Sequence, residues 1–259
     1  MIALFDIGNT HTHIGLANSN HVLRHINVPT ADWFGGRAAK TAALFFRREV
    51  MAQAALCSVV PKITPLVNHF IHEQLHIPGL VLTPATIDGI GIDYPKPATI
   101  GPDRLANAMA ARHHFGAPVV VVDFGTAVTF DVVDSRGNYI GGIIAPGLDV
   151  MTSYLHEKTA LLPRIKIREV SAIVGKNTSE AMLIGAVHGY RGLIRELISE
   201  LKSTLGKRRL PVIATGGYAG LIAAKLPQIT AVEPRLTLEG LRLAAVARDQ
   251  GGSPPCLLP

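Results

Sequence analysis

The amino-acid sequence predicts an α/β protein in which one domain occurs twice, with a cleft between the two copies. The main evidence is a repeated pattern of an apolar strand followed by Asp, Gly and Thr, at residues 2–10 and again at residues 119–126. Its two aspartates, Asp6 and Asp123, are separated by nearly half of the 259 residues. A third apolar run, 212–215, ends in a pair of glycines, which would let backbone lie against a flat adenine or ribose.

Each repeat is typical of a hairpin that binds a nucleotide phosphate. In the first repeat, Gly8 permits a tight turn because it has no Cβ, and Asn9 and Thr10 follow with short polar side chains. The carboxylate of Asp6 would orient Mg²⁺ through water, while Thr10 and the turn amides would donate to phosphate oxygens. A single Asp-x-Gly-x-Thr pattern also occurs by chance in ordinary hairpins, so the interpretation depends on the second copy.

The composition describes a globular protein with a basic balance, since 48% of the residues are hydrophobic, 17% are charged and the formal net charge is +6. Lys and Arg do not cluster with interleaved aromatic residues, so the charge predicts a small anionic substrate and no nucleic acid. The sequence shows no signal peptide and no apolar run of about 18 residues, which favours a cytoplasmic protein without membrane contact. Cys57 stands in an apolar run and is expected in the core.

The first half, residues 1–115, alternates strands and helices. Apolar runs predict strands within 2–28 and over 54–60 and 80–82, and helical spacing predicts helices over 36–52 and 65–75. The aromatic residues before the first helix, Trp33 and Phe34, are expected to pack. His11 and His13 have the spacing of ligands on one strand face, but no acidic or Cys partner completes a metal site.

A Gly- and Pro-rich loop over 83–102 has the length of a functional loop and leads into a helix over 105–114. Asp103 and Arg104 stand where the helix begins. An adjacent acid and base at this junction are suited to a hydroxyl and a carboxylate of one substrate. The alternative is that Asp103 only complements the helix dipole, although Arg104 is unfavourable there.

The second half, residues 116–250, begins near Gly116 and contains the second hairpin at 123–131. The pattern then predicts a turn over 134–138, a strand over 139–144, a helix over 148–160, and a long helix from 179 to about 204. Thr178 is a candidate N-cap of that long helix, and Gly206 would close it. A helix over 237–249 is followed by a tail, 251–259, that is expected to be flexible.

At this point the chain resembles the type III pantothenate kinases, within the superfamily of sugar and acetate kinases, actin and heat-shock chaperone ATPases. The resemblance runs almost end to end and is carried by the segments 6–10, 58–61, 101–104, 123–126, 141–147, 159–163, 175–178, 213–217 and 238–241. It implies duplicated actin-like, or ribonuclease H-like, domains over 1–115 and 116–250. Each would have a mixed central sheet flanked by helices, with the nucleotide cleft between the domains.

The resemblance also implies a reaction, the transfer of the γ-phosphoryl group of ATP to the primary hydroxyl of pantothenate. The product is 4'-phosphopantothenate, in the first step of coenzyme A biosynthesis. Asp103 would be the general base, and the residues that hold pantothenate would be Tyr94, Gly101, Pro102, Asp103 and Arg104. Thr178 would also contact pantothenate, from the neighbouring subunit, which implies a homodimer with the active site at the subunit interface.

For the nucleotide, the resemblance implies an ATP site in the first hairpin and at Thr126. The hairpin residues are Asp6, Ile7, Gly8, Asn9, Thr10, His11, Thr12 and His13. Asp6 would orient Mg²⁺ through water, and Asp123 would bind a monovalent cation, K⁺ or NH₄⁺. The glycine pair, Gly216 and Gly217, would lie on the adenosine side. The next residue, Tyr218, is bulkier than expected beside adenine.

Two other functions remain open on the sequence. One is a non-catalytic regulatory or accessory protein of the same fold, which would be expected to lack Asp103, Arg104 or Asp123, and all three are present. The other is a kinase for a different small hydroxy acid. A purely structural dimer module is disfavoured, because the chain holds two phosphate-type hairpins and a substrate-type loop.

Overall fold

A computed structural model describes residues 1–207 and 209–251 of the chain, so the predicted tail lies outside it except for the backbone of Gly251. The described residues form two compact units. The first contains Met1–His114, Gly137–Ile140 and the residues from Arg235 onward. The second contains Phe115–Arg136 and Gly141–Pro234.

The first unit is built on a five-stranded mixed sheet with helices. Its strands are β1 (Ile2–Ile7), β2 (His11–Ala17), β3 (Val22–Pro29), β4 (Gln53–Ser58) and β5 (Gly79–Val81). A sixth, two-residue strand is β6 (Gly91–Ile92). The helices are α1 (Arg37–Phe46), α2 (Thr64–His69), which continues as a π-helical turn over Phe70–Gln74, and α3 (Pro102–Phe115). Short 3-10 turns cover Thr30–Trp33 and Pro97–Thr99.

The strand order of this sheet is β3-β2-β1-β4-β5. β1 pairs antiparallel with β2 and parallel with β4, and β4 pairs parallel with β5. The register places Asp6 opposite His13 on one side and Cys57 on the other. The polar end of β1 therefore lies beside the end of β4, where the apolar part of both strands finishes.

The second unit contains β7 (Val119–Phe124), β8 (Ala127–Val133), most of β9 (Asn138–Pro146), β10 (Val212–Thr215) and β11 (Ala231–Val232). Its helices are α4 (Leu148–Lys158), α5 (Thr178–Ile184), α6 (Tyr190–Thr204) and α7 (Ala219–Ala223), with a π-helical turn over Gly185–Gly189 between α5 and α6. The last helix of the described chain, α8 (Leu236–Gly251), belongs to the first unit.

Five strands of the second sheet repeat the topology of the first. The second sheet has six strands in the order β6-β9-β8-β7-β10-β11, and β7 pairs antiparallel with β8 and parallel with β10, as β1 does with β2 and β4. The burial pattern along β1 also recurs residue by residue along β7, with the aspartate half-buried in each. The predicted duplicated α/β fold is confirmed at this level.

The core of the first unit is an aromatic cluster beneath β1. The ring of Phe5 meets Trp33, Phe46 and Phe70 edge to face, with centroids 5.9–6.4 Å apart. Such edge-to-face pairs add to the stabilisation that burial of the rings already provides. The expected packing role is correct for Trp33 and wrong for Phe34, which is 65% exposed because it lies at the end of the 3-10 turn, beyond the cluster.

Helix α8 packs on β1 and β4 of the first unit, with Leu238, Leu241 and Ala245 buried as their helical spacing predicts. It also lies close to α3, since a Cβ built on Gly240 would be 2.1 Å from the carbonyl oxygen of Ala106. The hydroxyl of Thr237 donates to Oδ1 of the buried Asn107 at 2.8 Å. The helix that begins at Pro102 is therefore held by the helix that follows the second unit.

Two predicted helices have different ends in the structure. The helix over 36–52 stops at Phe46, because the chain near Val50 and Ala52 is extended and its backbone bonds with Met1. The long helix from 179 is interrupted by the π-helical turn, which both starts and ends at a glycine. Within residues 1–207 and 209–251, no helix has the length and apolar character needed to cross a membrane.

Candidate active site

The turn of the first hairpin is fixed by residues outside it. The amide of Gly8 donates to the carbonyl of His11 at 3.1 Å, and a Cβ on Gly8 would lie only 3.0 Å from that oxygen. The hydroxyl of Thr30 donates to the carbonyl of Gly8 at 2.7 Å, and its amide donates to the carbonyl of Thr10 at 3.0 Å. Sequence reasoning missed Thr30, which gives no local signal of its contact with the turn.

The predicted ATP residues of this hairpin differ in which groups they present. The side chains of Ile7 and Thr12 are fully buried, and the Thr12 hydroxyl accepts from the indole N–H of Trp33 at 3.2 Å. These two positions can offer a ligand only backbone groups. Asn9, Thr10 and His11 are exposed, so the turn between the strands presents polar groups outward.

The first unit brings Asp6 and Asp103 to the same buried thiol. The Sγ of Cys57 donates to Oδ1 of Asp6 at 3.4 Å. Burial raises the pKa of the Cys57 thiol well above its usual value, and the negative charges of Asp6 and Asp103 raise it further. Two carboxylates far apart in sequence are thus within electrostatic range of one sulfur. The expected burial of Cys57 is confirmed.

Asp103 stands at the start of α3 in a tight environment. Its Oδ1 accepts the backbone N–H of Arg104 at 2.9 Å, and a Cβ on Gly101 would come within 2.5 Å of the same oxygen. Burial raises the pKa of the Asp103 carboxyl, and the hydrogen bond and charge of Arg104 only partly oppose the shift. A raised pKa makes this carboxylate a better proton acceptor than an exposed aspartate.

Arg104 and Tyr94 share a neighbour that sequence reasoning did not place in the site. The guanidinium carbon of Arg104 lies 5.8 Å from the ring centroid of Tyr139, and the ring of Tyr94 meets the same ring edge to face at 6.2 Å. Tyr139 is buried and is the second residue of β9, where the sequence predicts only a strand residue. The pairing of β6 with β9 is two residues long, too short to be read from periodicity.

In the second unit, two glycines allow backbone to approach the second hairpin. A Cβ on Gly147 would lie 2.2 Å from the carbonyl oxygen of Thr126, whose backbone accepts the Gly147 amide at 3.1 Å. Gly216 has φ +89°, and a Cβ there would lie 2.6 Å from Oδ1 of Asp123. Asp123, Thr126 and the start of the glycine pair are thereby brought together.

Tyr218 has a specific partner in this unit. Its hydroxyl donates to Oδ1 of Asp149, in the first turn of α4, at 2.6 Å. Burial and the neighbouring carboxylate raise the pKa of Tyr218 to about 12, so the phenol stays protonated and remains a donor at neutral pH. The side chain that the sequence marks as bulky therefore links the glycine pair to α4.

Thr178 is the first residue of α5, but it is not the N-cap. The N-cap is Asn177, whose side chain accepts the backbone N–H of Glu180 at 3.0 Å. The carboxylate of Glu180 accepts the amide of Lys176, the residue before the N-cap, at 2.8 Å, so the chain that enters the helix is bonded to its first turn. The predicted N-cap role of Thr178 is wrong, because an Asn one residue earlier has the extended backbone and the acceptor that a cap needs.

The donor set is suited to some metals and not to others. The described residues contain no group of three or more His, Cys, Asp or Glu side chains that would hold a metal ion. Mg²⁺ is usually held by one or two carboxylates with waters and substrate phosphates, and not by a protein cage. Asp6, half-buried at the end of β1, fits that arrangement as a single carboxylate next to a turn with exposed polar groups.

Solved structures share the fold with this chain. One from Campylobacter jejuni, named for the Baf family of transcriptional activators, aligns with a TM-score of 0.56 and 17% identity over 96% of this chain and 99% of that chain. A ROK hexokinase from Thermus thermophilus aligns with a TM-score of 0.50 and 17% identity over 94% of this chain and 97% of that chain. At such identities the likeness establishes the actin-like fold alone.

Sequence relatives are much closer. A protein named type III pantothenate kinase from Akkermansia muciniphila is 46% identical over 244 residues, 93% of this chain and 97% of that protein. Another of that name from Methylacidiphilum infernorum is 43% identical over 242 residues, 93% of this chain and 86% of that protein. The sequence model of the type III pantothenate kinases matches residues 2–200. This chain therefore belongs to the type III pantothenate kinase family.

Proposed function

We propose that this chain catalyses the ATP-dependent phosphorylation of the primary hydroxyl of pantothenate to 4'-phosphopantothenate, the first step of coenzyme A biosynthesis. The single observation that carries the proposal is membership of the family, with 36–46% identity to relatives named for this activity. The structure adds that the two carboxylates with proposed roles, Asp6 and Asp103, both lie within electrostatic range of one buried thiol, Cys57, in the first unit. Because the reaction consumes ATP and pantothenate, we place it in the cytoplasm.

In the proposed reaction the hydroxyl oxygen of pantothenate forms a bond to the γ-phosphorus of ATP. The bond from that phosphorus to the bridging oxygen breaks, and ADP leaves with the electron pair. Asp103 accepts the proton of the hydroxyl, and its raised pKa suits that task. Phosphoryl transfer requires mainly positioning and charge neutralisation, so a single base of this kind is sufficient.

The other site residues have positioning roles in this proposal. Arg104, with Tyr94 and the backbone of Gly101 and Pro102, holds pantothenate, and the guanidinium pairs with its carboxylate. The hairpin amides, Thr10 and Thr126 hold the phosphates of ATP, and Asp6 orients Mg²⁺ through water. The other hairpin residues that are proposed to contact ATP are Asp6, Ile7, Gly8, Asn9, His11, Thr12 and His13. When bound, Mg²⁺ neutralises charge on the transferred phosphoryl group.

Asp123 is proposed to bind a monovalent cation, K⁺ or NH₄⁺. Its carboxylate lies at the end of β7, and Gly216 leaves the space beside it free of a Cβ. A carboxylate oxygen is the kind of donor that a hard monovalent cation prefers. The cation would place a positive charge near the phosphates without forming a tight coordination cage.

We further propose a homodimer in which Thr178 of one copy contacts pantothenate bound by the other. The support is a cluster of exposed apolar residues on α4, here called the α4 face. It consists of Val150, Met151, Tyr154 and Leu155, each between 37% and 59% exposed. Their spacing of one, three and four residues places them on one side of the helix. A contiguous exposed apolar surface of this kind is typical of a protein interface.

The test is a coupled ADP-release assay with ATP, Mg²⁺ and pantothenate, run in K⁺ and in Na⁺ alone. We expect ADP release that requires pantothenate and is faster in K⁺. Asp103→Asn should lose most of the turnover, on the order of 10²-fold or more, while keeping ATP binding. Asp123→Ala should lose the response to K⁺.

Each arm has an outcome that contradicts its claim. No pantothenate-dependent ADP release in either salt, from folded protein, would reject the proposed reaction. Turnover of Asp103→Asn close to that of the unmodified protein would remove Asp103 from the role of base. An unchanged K⁺ response in Asp123→Ala would place the cation elsewhere.

A further inference from the structure

Four residues of the first unit come from the middle of the second-unit sequence. Gly137–Ile140 belong to the first unit, although the residues on both sides of them belong to the second. Gly137 has φ +84°, and a Cβ there would lie 2.5 Å from Nε of Arg112 on α3. The same Arg112 donates to the carbonyl of Gly89, so this short segment is fitted against both α3 and the Gly- and Pro-rich loop.

The segment is bonded to the loop that carries the proposed pantothenate residues. Gly91 and Ile92 pair in parallel with Asn138 and Tyr139, and the amide of Asp93 donates to the carbonyl of Tyr139 at 2.9 Å. A Cβ on Gly91 would lie 2.0 Å from Oδ1 of Asn138, so a larger residue there would force the Asn138 side chain to move. The loop is thus held by backbone bonds immediately before Tyr94.

The side chain of Tyr139 connects this segment to two of the residues that are proposed to hold pantothenate. Its ring is only 1% exposed, yet it contacts the ring of Tyr94, within the loop, and the guanidinium of Arg104, in the first turn of α3. Tyr94 itself is 37% exposed. The buried ring is therefore a common support for two more accessible side chains, and it is too buried to contact a substrate itself.

We propose that Tyr139 is a positioning residue that sets the affinity and specificity of the pantothenate site by holding Arg104 and Tyr94 in place. The proposal rests on the function proposed above. Its physical basis is that a guanidinium over an aromatic face has fewer accessible orientations than a free one, and a pre-oriented guanidinium pairs better with a carboxylate. Both contacts are made by the ring of Tyr139, so an aromatic residue at this position is expected to keep them.

The experiment compares Tyr139→Leu and Tyr139→Phe in the ADP-release assay. For Tyr139→Leu we expect the KM for pantothenate to rise on the order of fivefold to tenfold, while the KM for ATP stays within about twofold. Tyr139→Phe should keep the KM for pantothenate of the unmodified protein, because the ring face and edge remain. If Tyr139→Leu does not fold, Tyr139→Met, whose flexible unbranched side chain adapts to an irregular space, replaces it.

A matched control separates positioning from general loss of packing. Phe46→Leu also removes a buried ring from the first unit, in the cluster with Phe5 and away from the loop. It should lower the melting temperature without a selective change in the KM for pantothenate. A double-mutant cycle with Arg104→Gln adds a second readout, because Tyr139→Leu should cost less in the Arg104→Gln background.

The possible failures are distinguishable. If the unmodified protein releases no ADP with pantothenate, the proposed function fails before Tyr139 is tested. If it is active but Tyr139→Leu changes neither KM, or changes both equally as Phe46→Leu does, the positioning role is overturned. Full additivity in the double-mutant cycle would likewise show that Tyr139 does not act through Arg104.

Discussion

Asp103 combines two properties that oppose each other. Burial at the start of α3 raises the pKa of its carboxyl, which helps it to accept a proton. The same burial penalises the ionised form that the proposed reaction needs at neutral pH. The backbone N–H of Arg104 offsets part of this cost. Proposed active-site residues of this kind contribute to activity at the expense of stability.

This trade-off predicts the stability of Asp103→Asn. Because the folded-state pKa lies above the ordinary value, the folded protein binds more protons than the unfolded chain between those two values, and stability falls as pH rises through that window. Above the window the charged form imposes its full penalty, which the neutral amide lacks. Calorimetry at pH 8 should therefore show the variant melting at a higher temperature than the unmodified protein.

The gain should shrink as the pH is lowered toward the ordinary pKa of an aspartate, where the native carboxyl is protonated. The exposed Asp88 supplies the control, and Asp88→Asn should not reproduce the gain. A lower melting temperature of Asp103→Asn at pH 8 would mean that contacts of the carboxylate outweigh its burial.

Residue-level prediction from the sequence succeeds where the chemistry is local. The turn at Gly8 and the adjacent acid and base, Asp103 and Arg104, could be predicted because the residues next to them in sequence indicate a turn and a helix start. The contact of Cys57 with Asp6 depends on the register of two parallel strands, and the bond from Thr30 to the turn depends on where β3 ends. Neither is encoded in any short window of residues.

At the scale of elements, the two glycines of the pair have different roles. Gly216 has a positive φ and faces Asp123 and the backbone of Phe124, whereas a Cβ on Gly217 would meet no atom within 4 Å. The expectation from the sequence was that both glycines make room for the nucleotide. In the structure, a glycine is needed at position 216 for a further reason. The loop after β10 approaches the end of β7 so closely that a Cβ would not fit between them.

Replacing each glycine by alanine tests this difference. Gly216→Ala should lower the free energy of unfolding by about 1–3 kcal/mol, because of the positive φ and the contact with Asp123, and should weaken the K⁺ response. Gly217→Ala should stay within about 0.5 kcal/mol of the unmodified protein. Denaturant unfolding and the ADP-release assay measure both effects. Equal behaviour of the two variants would contradict the assigned role of Gly216.

The elements themselves were predictable to different degrees. The apolar runs ending at Asp6 and Asp123 become β1 and β7, and the spacing of Leu238, Leu241 and Ala245 becomes the buried side of α8. β6 was not predicted, because a strand of two residues is too short to show the alternation of apolar and polar side chains. The π-helical turn after α5 was missed because the helical spacing continues through it.

At the scale of the whole molecule, the α4 face leads to a prediction about assembly. Met151→Glu combined with Leu155→Glu places two charges one helical turn apart on that face, which should prevent burial of the face against a second copy. We expect sedimentation as a monomer and loss of most activity, since Thr178 would no longer reach its partner site.

The control uses an exposed leucine elsewhere. Leu44 on α1 is 66% exposed, and Leu44→Glu should leave both assembly and activity unchanged. A double variant that sediments as a monomer and retains full activity would contradict the shared site. An unmodified protein that is monomeric at assay concentrations would contradict the dimer itself.

The duplication could be predicted from the sequence, because both copies keep the same strand pattern. The order in which the chain passes through the two units could not be predicted. α8 follows the entire second unit and packs against β1, β4 and α3 of the first. The spacing of the apolar residues in α8 indicates that one side of the helix is buried. It does not indicate which of the two sheets that side packs against. Only long-range packing decides that question.

The return of α8 also affects how the protein is made. A ribosome completes β1 to α3 long before it reaches Leu236, and in that interval the side of β1 and β4 that α8 later covers lacks this helix. Residues that a finished chain buries, such as Leu4 and Ala55, are then candidates for chaperone binding. The proposed base at the start of α3 acquires this supporting helix only after α8 has been translated, so chains that stop before Leu236 would lack that support.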